Sequence, residues 1–344
     1  MEDCLLVSCP GEGGLLYLEG DIQIPIHNKP ITGLCIGNDR LLWGAQDNDG
    51  RYLTVIAQGR ARQIELSLNR LDIHDLFLNK DKLYLAATEN NEVICLDDNF
   101  VRVDSWKLPG EFDSAHLNSI NFYQGTLIAS IFGRFTKHRQ YKEGTQNLGE
   151  IINVVTGETI IGGLSQPHSL TVDNGLLYCC SSEDNTLHIY EGRQIVQKIK
   201  LPGYARGIAV AEKFIYVGIS LSRNAVKHSE ELNSGAIVIV DKATMQQQKI
   251  IMLPFREVYD IRVVRRYTDL LTLVGMYSGQ VNDLTQKAND LTQKANDLTQ
   301  KANDLTQKTN VLSQTVNNLT QSTSWRVTKP LRFFGNLAKR HKED

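Results

Sequence analysis

The sequence predicts an all-β fold: a six-bladed β-propeller closed by both termini of its domain, followed by an α-helical coiled-coil stalk. Three observations carry that expectation. A β repeat returns about every 40 to 50 residues through the first 265 positions. Unpartnered half-repeats stand at the two ends of that region, and an uninterrupted heptad pattern runs from residue 281 to 322. The domains read as a propeller over 1–265, a linker over 266–280, a coiled coil over 281–322 and a basic amphipathic tail over 323–344.

Each repeat opens with an apolar strand that has a polar start, turns at Gly, Asp or Asn, and returns in a second strand holding Leu-Tyr or a similar pair. Copies lie at 31–45, with the turn at Gly37-Asn38-Asp39, and at 73–87, with the turn at Asn79-Lys80-Asp81. Three more occupy 117–130, 167–180 and 205–219. A third, weaker strand follows each, at 52–57, 92–96, 150–155, 186–190 and 236–240. Four short strands per unit at this spacing fit propeller blades rather than a doubly wound sheet. The sixth unit is split. Residues 258–264 start like an inner strand without a partner, whereas 4–9 and 14–18 are strands with no inner strand before them. Joining them closes the ring and removes its open edges. The long segment 133–149, with Arg134, Lys137, His138, Arg139, Lys142 and Glu143, is then an insertion in the third blade, either functional or merely solvated.

From 281 to 322, Val281, Ala288, Ala295, Ala302, Thr309 and Val316 stand seven apart, each followed three residues later by Leu284, Leu291, Leu298, Leu305, Leu312 and Leu319. That is an a/d seam. Ala at a buries little, so an isolated helix is marginal and helix is expected mainly on association. Acid-first i,i+4 pairs such as Asp290 with Lys294 are expected to help within the chain. The lysines fall at g and the threonines at e, so an antiparallel pair faces Lys with Lys and a parallel one faces Lys with Thr. Parallel self-association is favoured, and dimer or trimer stays open.

Composition supplies the bounds. With 344 residues, 41% hydrophobic content and a formal net charge of -2, the chain holds one large domain plus an appendage and is not a generic nucleic-acid binder. The start Met1-Glu2-Asp3 is acidic and the apolar run 4–9 is short, so no secretion or transmembrane segment is expected. Six cysteines sit mostly in strand-like runs without a C-x-x-C pair, which reads as reduced thiols in a cytoplasmic protein.

Aligning the inner-strand starts extracts the chemistry. The pairs are Thr32-Gly33, His74-Asp75, Asn118-Ser119, His168-Ser169, Arg206-Gly207 and Tyr259-Asp260. Inner strands line a propeller's channel, so His74, Asn118, His168, Arg206 and Tyr259 should converge at one mouth. Asp75 and Asp260 follow in register, and His116 and Glu257 lie just outside. The ligand-binding candidates are therefore His74, Asp75, His116, Asn118, His168, Arg206, Tyr259 and Asp260. Imidazoles of His74 and His168 with Asn118 or Asp75 could hold a divalent metal that activates water, while Arg206 stabilises an anion. Alternatively Arg206 and Asn118 hold a carboxylate or sugar hydroxyls, or the polar groups simply satisfy one another. H-E-x-x-H, P-loop and G-x-S-x-G patterns are absent. The expected function is a non-catalytic binding or scaffolding propeller; the alternative is a metal-dependent lyase or hydrolase centred on the channel.

Two resemblances add to this reading. Residues 163–169 (Gly-Leu-Ser-Gln-Pro-His-Ser), His116-Leu117-Asn118, the run 203–209 (Gly-Tyr-Ala-Arg-Gly-Ile-Ala), Val217-Gly218-Ile219-Ser220 and Glu257-Val258-Tyr259-Asp260 together resemble an uncharacterised bacterial family of propeller-like domains of unknown function. The likeness covers most of 30–265 and implies architecture without an activity. The segment 322–332, Ser-Thr-Ser-Trp-Arg-Val-Thr-Lys-Pro-Leu-Arg, resembles the Ser-Trp-Arg...Pro-Leu-Arg tail that follows a coiled coil in bacterial glycosyltransferases and methyltransferases of surface-polysaccharide assembly. It implies such an enzyme as partner. The residues themselves suit docking on an anionic membrane surface at its inner face, or on a partner, through Trp325, Arg326, Arg332, Phe333, Phe334, Lys339 and Arg340; the alternative is a helix that caps the coiled-coil bundle.

Overall fold

The computed structural model of the chain describes residues 3–11, 13–37, 40–47, 50–57, 60–66, 72–221, 232–264 and 267–332. The strands among them form six antiparallel four-stranded sheets. The first blade comprises Ile31–Ile36, Arg40–Asp47, Gly50–Ala57 and Arg60–Ile64. The second comprises Ile73–Asn79, Lys82–Ala87, Glu92–Leu96 and Arg102–Lys107, and the third Ser119–Tyr123, Thr126–Ile131, Gly149–Asn153 and Thr159–Leu164. In the fourth are Pro167–Asp173, Leu176–Ser181, Thr186–Glu191 and Gln194–Lys200; in the fifth, Tyr204–Val210, Phe214–Ser220, Ala236–Asp241 and Gln247–Met252. The sixth joins Asp260–Val264 to Cys4–Cys9, Gly14–Glu19 and Ile22–His27, with Ser8 opposite Asp260 and Cys4 opposite Val264. Both ends of the domain thus sew the last blade. The six inner strands neighbour one another in a closed cycle.

Period-two alternation explains how the sheets stack. In Leu176–Ser181, Leu177 and Cys179 pack against the third blade, while Tyr178 and Cys180 pack against the fifth. Every blade is apolar on both faces for this reason, and six buried clusters each fill one seam between neighbouring sheets. The closing seam packs Leu6, Leu15 and Tyr17 of the sixth blade on Ile31, Leu34 and Trp43 of the first. Tight hairpins link the inner strands to their partners. Asn174 and Gly175 have φ of 48° and 79°, the left-handed pair whose twist matches the flanking strands. All six cysteines are free thiols, five of them buried.

Helix α1 spans Tyr267–Gln321, so the segment 266–280 assigned as a linker is helical from Tyr267 onward. At about 1.5 Å per residue it is roughly 80 Å long. It stands as a single helix, and pairing into a coiled coil is not shown. Leu291, Leu298 and Leu305 are 66, 66 and 63% exposed. The expected Asp to Lys pairs give way to another bond: Gln286, Gln293 and Gln300 donate through Nε2 to Asp290, Asp297 and Asp304 at 3.0, 3.0 and 2.9 Å. A glutamine amide four residues before the carboxylate reaches it with fewer frozen torsions than a lysine four residues after. A short helix α2, Thr323–Val327, follows, with the Ser322 hydroxyl accepting from the Trp325 amide at 3.2 Å. The Arg332 guanidinium lies 3.6 Å over the Trp325 ring. Phe333, Phe334, Lys339 and Arg340, like Asn38 and Asp39 of the first turn, lie outside the described residues.

Candidate functional site in the central channel

The second residue of each aligned pair ties one blade to the next. Asp260 Oδ2 accepts from the Leu34 amide (3.1 Å), and Asp75 Oδ2 from the Ile120 amide (2.9 Å) and the Ser119 hydroxyl (2.5 Å). Ser119 Oγ accepts from the Leu170 amide and Ser169 Oγ from the Gly207 amide, both at 2.8 Å. One register position therefore builds a girdle around the channel. Where glycine occupies it the seam closes by direct backbone approach, since a Cβ on Gly33 would sit 2.7 Å from Asp75 Cα. Bulges between Ile73 and Asp75, His168 and Thr171, and Ala205 and Ile208 aim these residues inward. Asp75 and Asp260, expected as ligand contacts, are occupied in holding the ring together.

Arg262 completes the girdle. Its Nη2 donates to Asp260 Oδ2 (2.7 Å) and Asp75 Oδ1 (3.3 Å), and its Nε to the Leu34 carbonyl (2.7 Å). Burial pushes the Asp75 carboxyl up to about 6, with Arg262 opposing and the Asp260 charge adding to the rise. Asp260 is likewise raised by burial against the pull of Arg262. The guanidinium, disfavoured by burial, is held charged more firmly than usual by its two carboxylates.

Five of the six first residues, His74, Asn118, His168, Arg206 and Tyr259, meet at one mouth, and the structure brings all eight candidates to that end of the channel. Tyr259, His74, His116, Phe132, His168 and Tyr204 follow one another with ring centroids 5.4, 5.1, 4.4, 5.2 and 5.7 Å apart. Arg206 returns the circuit to Tyr259, its guanidinium carbon 4.2 Å over that ring and 3.7 Å from Glu257 at its nearest nitrogen. Both nitrogens of His74 are engaged, Nδ1 with Asn118 Oδ1 (2.9 Å) and Nε2 with Asp72 Oδ2 (3.2 Å). Two acceptors favour the imidazolium. Burial lowers the His74 pKa, but Asp72's charge and hydrogen bond and that of Asn118 raise it beyond its ordinary value. His168 goes the other way, lowered well below the usual range by burial and then by the Arg206 charge. Burial also lowers His116.

The groups of the metal reading are engaged with neighbouring side chains and backbone. Asn118 Oδ1 and His74 are spent on each other, and His168 Nδ1 lies 2.8 Å from Ser182 Oγ and 2.9 Å from the Gln166 carbonyl. Among the described residues no group of three His, Cys, Asp or Glu is arranged to hold a metal ion. What remains is a cavity of about 20 Å³ bounded by His74, Asn118, His168, Tyr259 and Arg262, enough for about one water. Arg206 Nε and the Tyr259 hydroxyl are buried with no hydrogen-bond partner among the described residues.

The insertion is packed rather than loose. Buried Asp113 accepts from His116 Nδ1 (2.7 Å), Arg139 Nε (2.7 Å) and the Tyr141 hydroxyl (2.9 Å), and the Tyr141 ring lies 4.5 Å from that of His116. Burial would raise the Asp113 pKa, but these donors lower it on balance. Arg139 and Tyr141 thus pin the insertion beside the mouth, and Arg134 anchors its start on Glu150 at 3.0 Å.

At the other end of the inner strands the channel opens into a cavity of about 540 Å³, lined chiefly by Ile36, Leu78, Val172, Val210, Ile261 and Val263, with Arg262 as its floor. Sequence reading left Arg262 unassigned. The available signal was a lone cation inside the apolar strand 258–264.

Fold and channel define a six-bladed propeller with one mouth closed by interlocked polar side chains and the other open and apolar. The model of a family described as a domain of unknown function (DUF4915) matches residues 57–271, and the chain belongs to that family. No curated protein matches the sequence. A nidogen/laminin complex aligns over 76% of this chain and 98% of that one, at 12% identity and a TM-score of 0.55. A protein of unknown function from Bacteroides caccae aligns over 77% and 100%, also at 12% and 0.55. A streptogramin B lyase covers 65% and 69% at 13% identity, with a TM-score of 0.44. At these identities the likeness is one of fold alone. None of the matches supports the resemblance of the tail to polysaccharide-assembly transferases.

Proposed function

We propose that this chain is a non-catalytic binding propeller that self-associates in parallel through α1 and so presents several propellers together. The observation that carries the reading is the exposed leucine seam of α1, an apolar stripe that one chain leaves in water and a second copy with the same register can cover. The glutamine to aspartate bonds support it as well, because they leave Lys294, Lys301 and Lys308 to face the e-position threonines of a parallel neighbour. The interlocked mouth argues against catalysis there: groups already bonded to one another must be pulled apart before they can act on a substrate. Sedimentation at micromolar concentration tests the assembly. The parent chain should sediment as a dimer or trimer, and the combined Leu291→Ala, Leu298→Ala and Leu305→Ala variant as a folded monomer. A monomeric parent refutes it.

We extend the proposal to the tail. Arg332 stacked on Trp325 presents a cation beside an amphipathic ring, a combination suited to an anionic headgroup layer. One such contact is weak, and parallel copies combine it. No helix among the described residues is long and apolar enough to cross a membrane, so the attachment we propose is peripheral, on the cytoplasmic side. A surface-polysaccharide glycosyltransferase or methyltransferase is the proposed partner there, on the tail resemblance. Cosedimentation with vesicles containing anionic lipid should be lost when residues 323–344 are removed; a full-length oligomer that stays in solution at low salt refutes membrane docking.

A further inference from the structure

We propose that the open end of the channel is a binding site for an uncharged amphiphilic small molecule, with an apolar body inside the cavity and one oxygen acceptor on Arg262. This goes beyond self-association and does not depend on it. The cavity, at about 540 Å³, falls in the range of small-molecule sites and is mostly apolar, drawn from five of the six inner strands. It is a blind chamber. Arg262 borders both this cavity and the one-water cavity on the far side, so the guanidinium and its carboxylates form a partition across the channel.

The partition selects the head group. Arg262 spends Nε on Leu34 and Nη2 on Asp75 and Asp260, which leaves Nη1 without a partner among the described residues. A donor at the bottom of an apolar chamber calls for an acceptor. Two carboxylates surround the one guanidinium, so the floor as a unit is anionic when both are ionised and repels a carboxylate or phosphate head. A cationic head would meet N–H hydrogens. A carbonyl or ether oxygen satisfies Nη1 with neither penalty. At the rim, Asp173 is neutralised by Lys242 at 2.8 Å, so the opening adds no strong net charge. The one thiol among the described lining residues is held unreactive: burial pushes Cys35 up to about 11, with smaller effects from Arg262, Asp75 and Asp260, and keeps it protonated. The role proposed for the chamber is binding.

The test uses Nile red, an uncharged dye with an apolar ring system and a carbonyl, titrated into the full-length protein, with the anionic dye 8-anilinonaphthalene-1-sulfonate alongside. Nile red should bind at one per chain with a blue-shifted emission, and the sulfonate at least tenfold more weakly. Ile36→Trp and Val172→Trp, made separately at half-buried lining positions, should each weaken Nile red at least tenfold while the melting temperature holds. The triple leucine variant of α1 should bind Nile red as the parent does. The proposal is overturned if both tryptophan variants bind like the parent, if binding disappears with the leucines of α1, or if the sulfonate binds as tightly as Nile red. A parent chain that proves monomeric would remove the assembly reading and leave this result standing.

Discussion

The propeller and the helix that follows it solve opposite problems with the same residue types. Each blade hides its leucines, valines and isoleucines between two neighbouring sheets, so the ring is complete within one chain. Helix α1 carries leucines at regular spacing and buries none of Leu291, Leu298, Leu305, Leu312 or Leu319. The difference teaches where partners are needed. A closed cycle of blades leaves no apolar sheet face without a neighbour, whereas an a/d stripe is half of an interface.

Changes to the stripe should give the largest effect. Ala295→Ile and Ala302→Ile together add buried carbon at two a positions, up to about 5 kcal/mol per chain at full burial. Self-association should tighten by orders of magnitude in dilution sedimentation while the propeller melts where it did. An unchanged dissociation midpoint would mean that these positions do not face a partner.

Inside the ring, the largest loss should follow Arg262→Met. It strands Asp75 and Asp260 without their cation, a loss of about 3–5 kcal/mol, readable by denaturant titration at pH 7. Because protonation relieves the stranded carboxylates, the deficit should shrink at pH 5; a deficit independent of pH would contradict the triad. Asp113→Ala should cost less, about 2–3 kcal/mol, by orphaning His116 and Tyr141. Protease sensitivity should then rise within 133–149 before global unfolding.

The smallest effects are pH slopes of opposite sign. His74 has its pKa raised in the folded protein, so its contribution is complete below the unfolded value of about 6.5 and is lost as pH rises through the folded value. His168 is depressed, so stability falls as pH drops below about 6.5, where only the unfolded chain takes the proton. Relative to the parent, His74→Gln should flatten the decline of stability at high pH, and His168→Gln should flatten the decline at low pH. Unfolding free energies measured from pH 5 to 8 distinguish them, and slopes of one sign in both variants would refute the assignment of charge at the mouth.

Much of this architecture can be read along the chain because its causes are local. Apolar alternation and Gly or Asn turns mark strands at 167–180, and the orphan strands at 4–18 and 258–264 announce a shared blade, since neither can bury its faces alone. The convergence of His74, Asn118, His168, Arg206 and Tyr259 was legible for the same reason: a repeat places equivalent positions on one circle. Their state was not. Whether polar groups meeting at a mouth await a ligand or bond one another depends on ångström distances between blades far apart in sequence, such as His74 to Asn118 and Asp260 to Leu34. Arg262 is the sharpest case. Along the chain it is one cation in an apolar strand, and it becomes the floor of a chamber once ring closure sets it against Asp75, 187 residues away. Periodicity carries the fold, because burial is averaged over many side chains. The site hangs on a few long-range contacts that only the closed ring brings together.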